Sequence, residues 1–171
     1  MGLLRRRGGV EGTKYRMREK MFAIGDDFWI ENEEGERAFK VDGKALRIRE
    51  TLLLEDASSG SELYQIQEKK LTIRDKMEIE REGATVATIK KALVSPLRDR
   101  FSIEVEGGED MEAKGNIVDH EYTIERGGEK VAEVSKRWFR IRDTYGIEIA
   151  EGQEDALILA VAVCIDQMAR G

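Results

Sequence analysis

The stretch Glu154–Ala169, EDALILAVAVCIDQMA, decides the fold. Ten consecutive apolar residues, Ala156 to Ile165, stand between Asp155 and Asp166. Alanine and leucine at this density, without glycine or proline, favour a helix. A helix that is apolar all round must be buried on every side. Ten residues reach about 15 Å, half of a hydrocarbon core of roughly 30 Å, so the run does not read as a membrane span. Most of the preceding chain alternates in the manner of β-strands. Strands wrapped around one enclosed helix satisfy both patterns, with Leu157, Leu159, Val161, Val163 and Ile165 expected to be buried together.

The chain has 171 residues, 40% of them hydrophobic and 37% charged, which suits one domain with a sizeable core. Its net charge of −6 argues against a nucleic-acid binder, since neutralising phosphates takes an excess of Lys and Arg. Cys164, the one cysteine, falls inside the apolar helix, which fits a reducing compartment and a cytoplasmic location. The opening MGLLRRRGG is basic but is followed by no apolar segment of the signal-peptide kind. Residues 1–13, with four Gly and three Arg, are expected as a disordered tail, and 14–171 as a single domain.

Internal similarity runs outward from the helix. FWIENEEGERAFKVDGKALRIRET (Phe28–Thr51) aligns with YTIERGGEKVAEVSKRWFRIRDT (Tyr122–Thr144). Ile30 matches Ile124, Gly35 matches Gly128, Val41 matches Val134, and RIRET matches RIRDT. IEREGATVATIKK (Ile79–Lys91) is a third copy; GSELYQIQEKKLTIRD (Gly60–Asp75) is a fourth without a clear first strand. Each unit reads as an alternating strand, an acidic turn containing glycine, and a returning alternating strand, the signature of a β-hairpin. Gly35, Gly60, Gly83 and Gly128 are expected at turns, and Ile30, Ile79 and Ile124 on one inward face. Strands are expected near Tyr15–Ala23, Phe28–Asn32, Arg37–Val41, Ala45–Leu54, Glu62–Glu68, Lys70–Asp75, Met77–Arg81, Thr85–Leu93, Arg100–Glu106, Asp110–Lys114, Glu121–Glu125, Lys130–Ser135, Trp138–Arg142 and Tyr145–Ile149. Pro96 is placed at a corner.

No catalytic constellation stands out. His120, the one histidine, shares the parity of Tyr122 and Ile124 and is expected as a hydrogen-bonded or partly exposed strand residue. A zinc site would need three or four convergent ligands, so no metal is expected. The acidic loops Glu33-Glu34, Glu55-Asp56 and Glu109–Glu112 lack the D-x-D-x-D-G pattern of a calcium loop and read as solvated turns. The candidate binding residues are Lys136, Arg137, Trp138, Arg140 and Arg142, a cluster in which cations alternate with aromatic residues. Guanidinium forks suit phosphate oxygens, and Trp138 suits a lipid interface. The repeat register adds Arg47, Arg49 and Arg74. The bland alternative is an outer face on which each cation pairs with an acid of a neighbouring strand.

The C-terminal third resembles the LURP-one-related family, which belongs with tubby C-terminal domains and phospholipid scramblases. The resemblance rests on Gly115-Asn116 with Asp119, Val131-Ala132 through Lys136 and Trp138, Asp143-Thr144-Tyr145-Gly146, and Asp155-Ala156 leading through the apolar run to Asp166-Gln167. KYRMREKMFAIGDDFWIENEEG is similar to the family's start, so the resemblance spans residues 14–169. It implies a mainly β fold: a closed antiparallel barrel of about twelve strands around a central C-terminal helix. Tubby domains bind phosphoinositide head groups and scramblases act on membrane lipids; plant relatives are linked to pathogen defence. No tubby ligand residue maps by motif onto this chain, and the cysteine cluster of scramblases is absent. The expected function is a non-enzymatic binding or adaptor module, without cofactor, contacting anionic lipid head groups or a protein partner. The alternatives are a structural or regulatory protein without a small-molecule ligand, and an enzyme of unknown class.

Overall fold

The computed structural model describes residues 12–18, 27–43, 51–69, 76–92, 99–139 and 143–170. They form twelve strands: β1 (Gly12–Arg18), β2 (Phe28–Asn32), β3 (Arg37–Asp42), β4 (Thr51–Asp56), β5 (Glu62–Lys69), β6 (Lys76–Arg81), β7 (Ala84–Lys91), β8 (Asp99–Val105), β9 (Met111–Asn116), β10 (Glu121–Arg126), β11 (Glu129–Ser135) and β12 (Thr144–Ala150). One helix follows, α1 (Asp155–Arg170). Each strand pairs antiparallel with the next, and β12 returns to β1 from Gly12↔Ala150 to Arg18↔Thr144, closing the barrel. The β1–β2 join is recorded at Tyr15↔Asn32 and Arg16↔Glu31.

Up-and-down order alternates the connections between two ends. Turns 33–36, 57–61, 82–83, 106–110, 127–128 and 151–154 share one end, here the hairpin end. The β9–β10 turn and the residues leaving β11 lie at the far end. At the hairpin end Tyr15 donates to Asp155 Oδ2 at 2.6 Å. Tyr64 and Arg81 both bond Glu154, and Arg81 also donates to the Tyr64 hydroxyl at 2.5 Å. Burial and the adjacent carboxylates push both phenols up, so they remain neutral donors. Strand tyrosines thus fix where α1 enters, and the helix runs down the axis to the far end.

The core fills that axis. Leu159, Val161, Val163 and Ile165 are all at 0% exposure although they point around the whole helix. Leu157, expected with them, is only partly buried, because it lies within a turn of the helix start at the barrel mouth. Ile30, Ile79 and Ile124 share the inward face, each fully buried. Removing one such side chain from water is worth roughly 1.5–3 kcal/mol.

The repeats have a structural counterpart in one recurring β-bulge. The hairpins β2–β3, β4–β5, β6–β7 and β10–β11 each shift register between an aliphatic residue and the glutamate after it: Ile30/Glu31, Leu54/Glu55, Ile79/Glu80 and Ile124/Glu125. The extra residue is Ala38, Leu63, Val86 or Val131, and each packs on the core. A bulge of this kind bends its strand and sharpens the twist. Gly35, Gly60, Gly83 and Gly128 all have positive φ at the turns. Glu82-Gly83 (φ 50 and 81) and Gly127-Gly128 (φ 58 and 83) are left-handed at both central positions, as a two-residue hairpin of right-handed twist requires.

Several expectations change. The fourth repeat does possess a first strand, β4, which overlaps the strand expected at Ala45–Leu54; its pairing with β5 carries no sequence signal because Leu52-Leu53-Leu54 breaks the alternation. Trp138 and Phe139, expected to open a strand, lie in the connection after β11. His120 precedes β10 in a turn and is not a strand residue. Gly12 and Thr13, expected in the tail, pair with Ala150 and Ile149 in β1. The expected strand Lys70–Asp75, the first residues of Ala45–Leu54, Pro96 and residues 1–11 lie outside the described residues.

Candidate functional site

Two segments meet at the far end. In the first, β11 ends at Ser135 and the chain turns outward. The Glu121 carboxylate organises this exit: Oε1 accepts from Ser135 Oγ and from the Lys136 backbone N–H, both at 3.0 Å. Arg137 N–H donates to Ser135 Oγ at 3.1 Å, and its Nε lies 3.9 Å from Glu121 Oε1. The Arg137 side chain remains 85% exposed, whereas Lys136 is half-buried.

Trp138 and Phe139 then fold onto the outer barrel wall. Lys14 Nζ sits 4.9 Å from the Trp138 ring and Arg16 Cζ 5.8 Å from the Phe139 ring. Both rings cover Gly146 of β12, where an added Cβ would stand 2.7 Å from Trp138 and 2.8 Å from Phe139. Gly146 is the seat of the aromatic pair, and Trp138 is half-buried against protein. Gly146→Ala, in a Trp29→Phe background, is expected to lift Trp138 and move its fluorescence emission to the red. An unchanged emission maximum would show that the seat tolerates a methyl group.

The second segment is the β9–β10 turn. Asn116 Nδ2 donates to Asp119 Oδ2 at 2.7 Å, and Asp119 N–H returns to Asn116 Oδ1 at 3.2 Å. Ile117 is buried, and Val118 between them is 66% exposed. His120 closes the turn with φ 53. Its Nε2 lies 2.8 Å from Asp166 Oδ1 of α1, and its ring stacks on Tyr145 at 4.1 Å. Burial and the Asp166 charge push the Tyr122 phenol up. This buried imidazole–carboxylate contact ties a surface turn to the helix. Sequence reasoning missed Asp166 and Tyr145 as partners of His120. The available signal was an aspartate directly abutting a run of buried residues.

The motif residues now have physical roles. Gly115 has φ 134 and lies against the β10 backbone. Asp143 has φ 60, Thr144 opens β12, Tyr145 faces the core and Gly146 receives the rings.

Of the five candidate binding residues, Lys136 and Arg137 share the Glu121 site, Trp138 rests on the wall, and Arg140 and Arg142 lie outside the described residues. So do Arg47, Arg49 and Arg74. Elsewhere on the wall cations pair with acids of adjacent strands, as in Lys114–Glu125 at 2.7 Å, Arg100–Glu112 at 3.5 Å and Lys90–Glu104 at 3.2 Å. Those first four residues also line an open groove of about 610 Å³ whose charges satisfy one another. Among the described residues no group of three or more His, Cys, Asp or Glu could hold a metal ion. The Asp56 carboxylate is held below its ordinary range by Ser58 and Ser59, which close their own turn on it. Cys164 is buried, and burial pushes its thiol up, so it stays protonated. No helix among the described residues is long and apolar enough to cross a membrane.

A family model described as LURP-one-related matches residues 13–166. The chain is 29% identical over 152 residues to the uncharacterized protein YxjI of Bacillus subtilis, covering 89% of this chain and 91% of that one. A crystal structure of a protein from Arabidopsis thaliana superposes with a TM-score of 0.69 at 16% identity, covering 96% of each chain, and shares the fold.

Proposed function

The chain belongs to the LURP-one-related family, and we propose that it is a non-enzymatic binding module that works through its outer surface at the far end of the barrel. One observation carries this reading: the barrel interior is filled by its own helix, with Ile158 to Asp166 buried without a break. Ligand-holding barrels keep a cavity or an open mouth for their cargo. Here the space is used for stability, which leaves the exterior for recognition.

The ligand class best matched is an anionic head group. Arg137 projects into solvent beside Lys136, and Arg140 and Arg142 follow within the same connection in sequence. Trp138 and Phe139 pack on the wall immediately after Lys136 and Arg137. Each basic residue near an anionic surface contributes about 1 kcal/mol, so these four support weak, reversible binding. Binding is expected to fall as salt rises, because exposed charges are screened within about 10 Å at 0.1 M. The test is co-sedimentation with phosphatidylserine vesicles at low salt. Lys136→Glu/Arg137→Glu is expected to lose most of the binding. Equal binding by both proteins, or none by the wild type, rejects the head-group reading.

A further inference from the structure

Among the described residues charge is distributed unevenly along the barrel axis. The six turns of the hairpin end, 33–36, 57–61, 82–83, 106–110, 127–128 and 151–154, hold nine acidic residues and no lysine or arginine; of the strand and helix ends that flank them, Arg37, Arg81 and Arg126 are cationic and Asp56, Glu62, Glu129 and Asp155 acidic. At the far end the signs are mixed: Lys76, Lys90, Lys91 and Arg100 stand at strand ends among acids that offset them, and Lys136 and Arg137 follow β11. Among the described residues the hairpin end is therefore a strongly negative pole. A second feature points the same way. Val118 is the large hydrophobic residue most open to solvent among the described residues, and it sits at the far end. The Asn116–Asp119 pair, buried Ile117 and the His120–Asp166 contact hold its turn, so the exposed side chain is presented by a fixed scaffold.

We infer that the protein docks end-on to an anionic bilayer, with the far end and Val118 against the lipid and the acidic hairpin end directed away. The inference rests on the head-group reading and adds orientation and an apolar contact to it. Strands of six or seven residues set the two ends about 20 Å apart, roughly twice the Debye length at 0.1 M salt. In the end-on pose the acidic pole is screened from the membrane. Inverted, it would meet the surface directly and be repelled. A side-on pose would present the paired charges of the wall and would leave Val118 in water.

The test uses the inaccessibility of Cys164, which lets an introduced cysteine be labelled alone. Val118→Cys and Glu34→Cys, each carrying an environment-sensitive fluorophore, are mixed with equimolar phosphatidylserine and phosphatidylcholine vesicles and probed with a soluble collisional quencher. The Val118 position is expected to shift to the blue and lose about half or more of its quenching, as an interfacial side chain does, while the Glu34 position stays unchanged. Vesicles of a cationic lipid and phosphatidylcholine should reverse the pattern. Sedimentation of the protein with anionic vesicles but protection at Glu34, or equally at both positions, overturns the end-on pose and leaves the head-group reading standing. No sedimentation overturns that reading and the pose with it. Equal protection on cationic vesicles overturns the charge polarity.

Discussion

Leu159→Asp is expected to leave the chain without a cooperative fold. Leu159 is at 0% exposure near the middle of α1, and its neighbours Ile158, Ala160 and Val161 are buried with it. A carboxylate placed there would replace an apolar side chain of the buried hydrophobic cluster. Burying an unpaired charge costs several kcal/mol even after the site relaxes or the acid protonates. The whole stability of a domain this size is about 5–15 kcal/mol. The expected readout is loss of the soluble fraction and of any sigmoidal thermal transition in circular dichroism. Leu159→Met, which keeps the volume apolar, should cost less than about 1.5 kcal/mol and melt cooperatively. A wild-type-like melt for the aspartate variant would mean that the helix is not enclosed.

Gly115→Ala should be more damaging than the same exchange at a hairpin turn. Two penalties coincide there. The φ of 134 lies where a side chain is strained, and the new Cβ would stand 2.8 Å from the Glu121 carbonyl oxygen and 2.9 Å from Tyr122 Cα. These are backbone atoms of β10, so they can yield only by loosening the β9–β10 ladder. The combined cost is expected at about 2–4 kcal/mol, read as a lower urea midpoint. Gly83→Ala supplies the comparison. It has a left-handed φ of 81 but nothing within 4 Å of its Cβ, so it should show only the conformational penalty of about 1–2 kcal/mol. Equal losses at the two sites would mean that the close approach at Gly115 carries no energetic weight.

The architecture was legible from two periodicities. The unbroken apolar run to Ile165 announced an enclosed helix, and Ile-Glu followed by a glycine turn marked three of the four bulged hairpins. A strand was expected at Ala45–Leu54, but Leu52-Leu53-Leu54 lacks the period-2 signal that would mark it as the first strand of the fourth hairpin. The bulges were invisible for a related reason. An extra residue such as Ala38 or Val131 disturbs the alternation by one step, which in a sequence looks like noise. Trp138 and Phe139 look like strand residues by composition, and only the bare surface of Gly146 explains why they lie on the wall. His120 was correctly read as hydrogen-bonded, but its partner Asp166 is 46 positions away. Long-range pairs of that kind leave no spacing to recognise.

The closing seam and the position of α1 also govern how the chain can be made. Gly12 pairs with Ala150, so the first strand waits for the last, and the core-filling helix emerges after both. Contacts between residues so distant in sequence are slow to form, because the entropy of closing the loop must be met before the contact contributes. During synthesis the hairpins can form in turn, yet each exposes an apolar face with nothing to cover it until residues 155–170 arrive. The barrel therefore completes its fold only after residues 155–170 leave the ribosome. Any message truncated ahead of the helix would yield a set of sticky hairpins, a natural client for chaperones and proteases.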